Sequence, residues 1–157
     1  CREIMAIQLP WLVDIFGKVE EFHCFKDKIT NLNIDYSDIY HIILKHKNGT
    51  MGSLQFDVVS REATTSLEII SENNHIKWNG IPEGLNVFNL NDKKMEKIET
   101  YNEVDRKNGY SKLIIEDMYL EEISTFIKSI KENKNYSKYS FEKDKEVLSL
   151  INQIEGE

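Results

Sequence analysis

The sequence predicts an α+β fold: an open, mainly antiparallel β-sheet with helices packed on one face. Three observations lead there. The chain has 157 residues, 40% of them hydrophobic and 30% charged, enough for one compact domain with its own core and too little for two. From Lys18 to Tyr101 apolar and polar residues alternate between turn signals, which is strand texture. Apolar residues at helical spacing flank that stretch on both sides, so hairpin-linked strands lie between helices. Residues 1–157 are therefore read as a single domain.

The first helix is carried by Ile4, Ile7, Trp11, Leu12 and Ile15, and it stops at Gly17, a residue suited to the left-handed position after a helix end. Pro10 lies inside this pattern. Because proline lacks the amide donor and clashes with the preceding turn, it predicts a kink or a helix that starts near Pro10. The clearest strand pair is Ile39–Lys47 and Thr50–Val59 around Asn48-Gly49, where Asn-Gly suits the two positive-φ positions of a type I′ turn. In the second strand Leu54, Phe56 and Val58 share one face, while Met51, Ser53, Gln55 and Asp57 share the other. A second hairpin follows: Thr64–Ser71 with Leu67 and Ile69 inward, a turn at Asn73-Asn74, and a short strand with Ile76 and Trp78. Gly80 to Gly84 breaks the pattern, then Leu85–Leu90 and Met95–Tyr101 read as strands joined at Asn91-Asp92. The sum is a meander of about six or seven antiparallel strands.

Asn102–Ser111 is polar and reads as a connecting loop. Leu113, Tyr119, Leu120, Ile123, Phe126, Ile127 and Ile130 then mark a long amphipathic helix, with acids early and Lys128, Lys131 and Lys134 late, the charge order that suits a helix dipole. Tyr119 and Phe126 are read as packing on the sheet. Ser140 can cap a last helix whose buried stripe is Phe141, Val147, Leu148, Ile151 and Ile154. The lysine-rich stretch from Lys128 to Lys143 is broken by acids and reads as a solvated helix end and loop.

The bulk numbers exclude several functions. A formal net charge of −7 disfavours a nucleic-acid backbone or an anionic membrane as partner. No apolar run approaches the roughly 20 residues of a membrane helix, and the opening residues have no signal-peptide layout; the reading is a cytoplasmic protein. Cys1 and Cys24 show no disulfide-scaffold or zinc spacing and read as plain thiols. The absence of an initiator Met and an opening inside an apolar pattern suggest a fragment of a longer protein.

With these elements in order, the chain resembles the C-terminal domain of the Gfo/Idh/MocA oxidoreductase family, a dihydrodipicolinate reductase-like fold. The stretches that carry the resemblance are WLVDIFGKVEEF, NGTMGSLQFDVVSR, TSLEIISENNHIKW, MYLEEISTFIKSI and SFEKDKEVLSLINQIE. It implies a full-length NAD- or NADP-dependent dehydrogenase acting on a sugar, cyclitol or nucleotide-sugar hydroxyl, with its N-terminal dinucleotide-binding domain outside these residues. The chain itself holds no GxGxxG after a strand, so it is expected to bind no cofactor and to be inactive alone. Its implied role is a wall of the substrate pocket and, through the open sheet face with Met51, Ser53 and Gln55, a homo-oligomer contact. The alternative is a non-catalytic member of the fold, serving as an oligomerisation or ligand-binding module.

By the same resemblance, an acid and a His four positions apart near the domain start would serve proton transfer, a role that suits a His near its pKa. Glu3 and Ile7 occupy those places, and isoleucine cannot carry a proton, so no catalytic residue is assigned. His23, His41, His46 and His75 read as sheet-surface or strand-end residues, with no metal-ligand spacing. Arg61 ends the Leu54–Val59 strand, and by the resemblance the family often keeps an arginine at this strand end, near the substrate. It suits a carboxylate or phosphate, or it pairs on the surface with Glu62 or Asp57. Asp57 binds a sugar hydroxyl or is a solvated strand residue. Gln8 and Trp11 lie on the helix that faces the family's cofactor half; Trp11 stacks on a ligand or belongs to the core.

Overall fold

Helix α1 (Arg2–Phe16) begins well before Pro10 and runs through it, so the helix does not start near the proline. Proline removes one backbone hydrogen bond there, and the burial of Met5, Leu9 and Leu12 on both sides of it holds the segment helical. Gly17 ends the helix at φ 83°, with its amide donating to Val13 O. The computed structural model describes residues 1–100, 116–137 and 139–156. They fall into two compact units, Cys1–Arg61 with Lys138–Glu157, and Glu62–Ser137. The expected loop Asn102–Ser111 and Leu113 lie outside the described residues.

In the first unit, β1 (Val19–Asp27), β2 (Ile39–His46) and β3 (Met51–Asp57) form an antiparallel sheet in that order. Strand alternation decides what is buried. Tyr40, Ile42, Leu44 and His46 point inward while His41, Ile43 and Lys45 are exposed. The inner face meets α1 and α3 (Phe141–Glu155) in a core that joins Met5, Leu9 and Leu12 to Tyr40, Ile42, Leu44, Phe56, Val147, Ile151 and Ile154. Polar ties reinforce this packing. Arg2 bonds Asn152 Oδ1 at 2.6 Å and pairs with Glu155, and Lys26 Nζ donates to Ile154 O at 3.1 Å at the C-terminal end of α3. Buried His46 donates from Nδ1 to Gly17 O at 2.6 Å beside the Phe16 ring.

The β2–β3 hairpin forms where Asn48-Gly49 places it, but its turn is not type I′. Only Gly49 has positive φ (88°), while Gly49 N donates to His46 O and His46 N to Thr50 O. That is a type I turn closed by a left-handed glycine, a longer hairpin loop. Asn48 instead uses its side chain, whose Oδ1 accepts from Thr50 N at 3.0 Å. In α3, Ser140 caps as expected, accepting from Lys143 N. The buried stripe is narrower than the sequence suggested, because Phe141 is 91% exposed and Leu148 is also exposed. Phe141 is the first residue of the helix, before the stripe meets the sheet.

The second unit holds β4 (Leu67–Ile70), β5 (His75–Trp78), β6 (Asn86–Asn89) and β7 (Lys94–Lys97), antiparallel and in sequence order. The class is α+β, as the sequence predicts; the strands form two sheets where the turn pattern suggested one meander. Helix α2 (Glu116–Glu132) belongs to this unit. Its stripe of Tyr119, Leu120, Ile123, Phe126, Ile127 and Ile130 is exposed among the described residues, so Tyr119 and Phe126 do not pack on the sheet here. No described helix is long and apolar enough to cross a membrane.

Candidate functional site

At one end of the first sheet three segments meet at Asp38. Its buried carboxylate accepts from Ile29 N at 2.8 Å on Oδ1, and from Thr30 N at 3.0 Å and Thr30 Oγ1 at 2.5 Å on Oδ2. Its carbonyl accepts from Val58 N, 3.1 Å, and from the buried Cys1 thiol. Burial pushes the Asp38 pKa up, but the Thr30 hydroxyl and the Ile29 and Thr30 amides outweigh it and leave the group below its usual value. Asp38 thus fastens the loop after β1, the exit of β3 and the start of α1. Sequence reasoning missed it, because an acid before a strand looks like any turn residue.

Asp57 closes β3. Its Oδ1 accepts from Ser60 N at 2.8 Å and Val59 N at 3.1 Å, and its Oδ2 from Gln55 Nε2 at 3.3 Å. The Ser60 side chain and then the Ser60 amide hold the Asp57 carboxyl below the ordinary carboxylate range. The half-buried residue is therefore engaged by its own turn. Arg61 follows directly and is exposed. Among the described residues its guanidinium makes no hydrogen bond or ion pair, so the surface pairing with Asp57 or Glu62 does not form.

Gln8 and Trp11 come together on α1, one turn apart, with Trp11 Nε1 donating to Gln8 Oε1 at 2.9 Å. Trp11 is half-buried and packs against the core. Because Cys1 touches Asp38 and Phe56, α1 starts at the Asp57 end of the sheet, and at 1.5 Å per residue Gln8 and Trp11 lie roughly 10–15 Å further along its axis. The four candidates thus form two pairs, one at the strand exit and one along the helix. Glu3 and Ile7 are both exposed, Ile7 at 68%, so the place where the resemblance puts a proton-transferring His is open and apolar. His23 and His41 sit exposed on the outer sheet face, His46 is structural, and His75 bonds Glu68 at 2.7 Å.

Gly80 precedes and Gly84 ends a one-turn 3₁₀ helix (Pro82–Gly84), which is not the strand, glycine loop and α-helix of a dinucleotide fingerprint, and both glycines serve internal packing. A Cβ on Gly80 would sit 2.5 Å from Thr65 O, and one on Gly84 would overlap the Asn79 side chain. Among the described residues no cluster of His, Cys, Asp and Glu could hold a metal ion.

The sequence matches no protein-family model and no curated protein. Solved structures do match. UDP-N-acetylglucosamine 3-dehydrogenase GnnA from Acidithiobacillus ferrooxidans aligns with TM-score 0.71 and 14% identity, over 96% of this chain and 44% of its own. This chain has the fold of one part of an oxidoreductase. An oxidoreductase from Agrobacterium radiobacter, solved with NAD+, L-tartaric acid and magnesium, aligns with TM-score 0.71 and 15% identity over 94% of this chain and 43% of its own. The WlbA dehydrogenase from Bordetella pertussis, solved with NADH and UDP-GlcNAcA, gives TM-score 0.59 and 14% identity over 94% and 41%. The chain therefore spans less than half the length of these relatives in fold.

Proposed function

We propose that this chain is the C-terminal domain of a cytoplasmic NAD- or NADP-dependent dehydrogenase of the Gfo/Idh/MocA family, acting on a hydroxyl of a sugar, cyclitol or nucleotide sugar. The observation that carries the reading is the alignment of nearly the whole chain with parts of oxidoreductases, two of them a nucleotide-sugar dehydrogenase and a dehydrogenase solved with a nucleotide sugar. The domain supplies part of the substrate pocket. Arg61, whose planar fork suits a carboxylate or phosphate, takes the anionic group of the substrate, and Asp57, Gln8 and Trp11 belong to the pocket wall. The outer sheet face, with Met51, Ser53 and Gln55 exposed, is the homo-oligomer contact, because an open face with apolar residues is commonly covered by a partner.

The test is made on the full-length protein, with UDP-N-acetylglucosamine and either nicotinamide cofactor, following cofactor reduction by absorbance. Turnover is expected, and Arg61→Ala should raise KM with little change in kcat. An unchanged KM removes Arg61 from the site. A second reading, a non-catalytic ligand-binding member, is favoured by one observation: exposed Ile7 stands where the resemblance asks for a proton-transferring His. Binding of the nucleotide sugar without any hydride transfer, over a panel of polyols, would select that reading.

A further inference from the structure

We infer that Asp57 is a positioning residue for Arg61: it locks the strand exit so that the guanidinium meets an anionic substrate group in a fixed place. The inference rests on the assignment of Arg61 to the substrate. The three amides between β3 and Arg61 are all committed. Val58 N is held by Asp38 O, and Val59 N and Ser60 N by Asp57 Oδ1. Asp38 is itself anchored by the loop after β1 through three bonds to its carboxylate, so the exit is tied to a buried point and not only to its own turn. Beyond Ser60 the restraint stops, and the next side chain is a guanidinium with no partner of its own among the described residues. An arginine side chain carries much rotamer freedom. Fixing its backbone root therefore removes part of the ordering cost of binding, while leaving its donors open. A turn that served stability alone would have no reason to be coupled to ligand affinity.

Calorimetric binding of UDP-N-acetylglucosamine to the full-length protein tests this with four variants: Asp57→Ala, Asp57→Asn, Arg61→Ala and the Asp57→Ala/Arg61→Ala double. Asp57→Ala should weaken binding roughly tenfold, and Asp57→Asn, whose amide oxygen still accepts from Val59 and Ser60, should restore most of that loss. In the Arg61→Ala background the Asp57→Ala change should have no further effect, the non-additivity of two residues that act as one. An equal loss from Asp57→Ala in both backgrounds makes Asp57 a structural cap and overturns the inference. A loss in Arg61→Ala with none in Asp57→Ala also overturns it, but leaves Arg61 in the site. Unchanged affinity in Arg61→Ala, or no binding by the unaltered protein, overturns the assignment of Arg61 and the inference with it. Should Asp57→Ala unfold the protein, Asp57→Asn compared across the two arginine backgrounds gives the same reading, with a partial loss expected only where Arg61 is present.

Discussion

The two units bury very different things. In the first, Met5, Leu9 and Leu12 from α1, Ile42 and Leu44 from β2 and Ile151 from α3 close into one apolar core. In the second, no hydrophobic side chain among the described residues reaches that level; what is buried there is a loop, Gly80, Pro82 and Gly84. Both units have antiparallel sheets with good register, so hydrogen bonding does not separate them. Covering does. The first sheet has two helices on its inner face, whereas the short strands of the second are mostly half-buried or exposed. Among the described residues, local order from turns and ladders is thus complete in strands that bury little apolar surface.

The largest expected effect breaks the core side of this contrast. Leu9→Ala removes a fully buried side chain and should cost about 2–5 kcal/mol, read as a lower urea midpoint of Trp11 fluorescence. Phe126→Ala, on the exposed stripe of α2, should change stability by less than about 0.5 kcal/mol; an equal loss would show that the stripe is covered in solution. Next comes the loop of the second unit. Gly80 holds φ 85° with its absent Cβ facing Thr65 O, so Gly80→Ala should cost about 1–3 kcal/mol. Because Trp78 donates to Ile81 O in that loop, the change should appear first in Trp78 fluorescence, measured in a Trp11→Phe background. An equal shift in the Trp11→Phe and Trp78→Phe backgrounds would mean that the two units unfold together.

The smallest effect concerns pH. The folded pKa of Asp38 lies below its unfolded value of about 3.9, so its contribution is complete above that value and is lost as pH falls through the folded pKa. Asp38→Asn should flatten the acid limb of stability in the first unit below about pH 4, as followed by Trp11. In the second unit Glu68 is held low by hydrogen bonds from His75 and Lys77, but these are surface contacts, which solvent and salt weaken. Glu68→Gln should therefore move the Trp78 transition less than Asp38→Asn moves that of Trp11.

The sequence by itself determined the class, the order of elements and most of their bounds. Turn residues and periodicity are local signals: Asn48-Gly49 marks a hairpin, Ser140 a helix start and Gly17 a helix end, whatever lies around them. What only the tertiary structure decided depends on contacts between distant segments. Asp38 became a junction because Ile29, Thr30, Val58 and Cys1 arrive there from three directions, and no spacing in the chain announces that. The same holds for the strands dividing into two sheets after Asp57, and for Phe141 and Phe126 lying exposed at helical spacing that resembles a core. Periodicity names an apolar face, but only the neighbouring segments decide whether anything covers it.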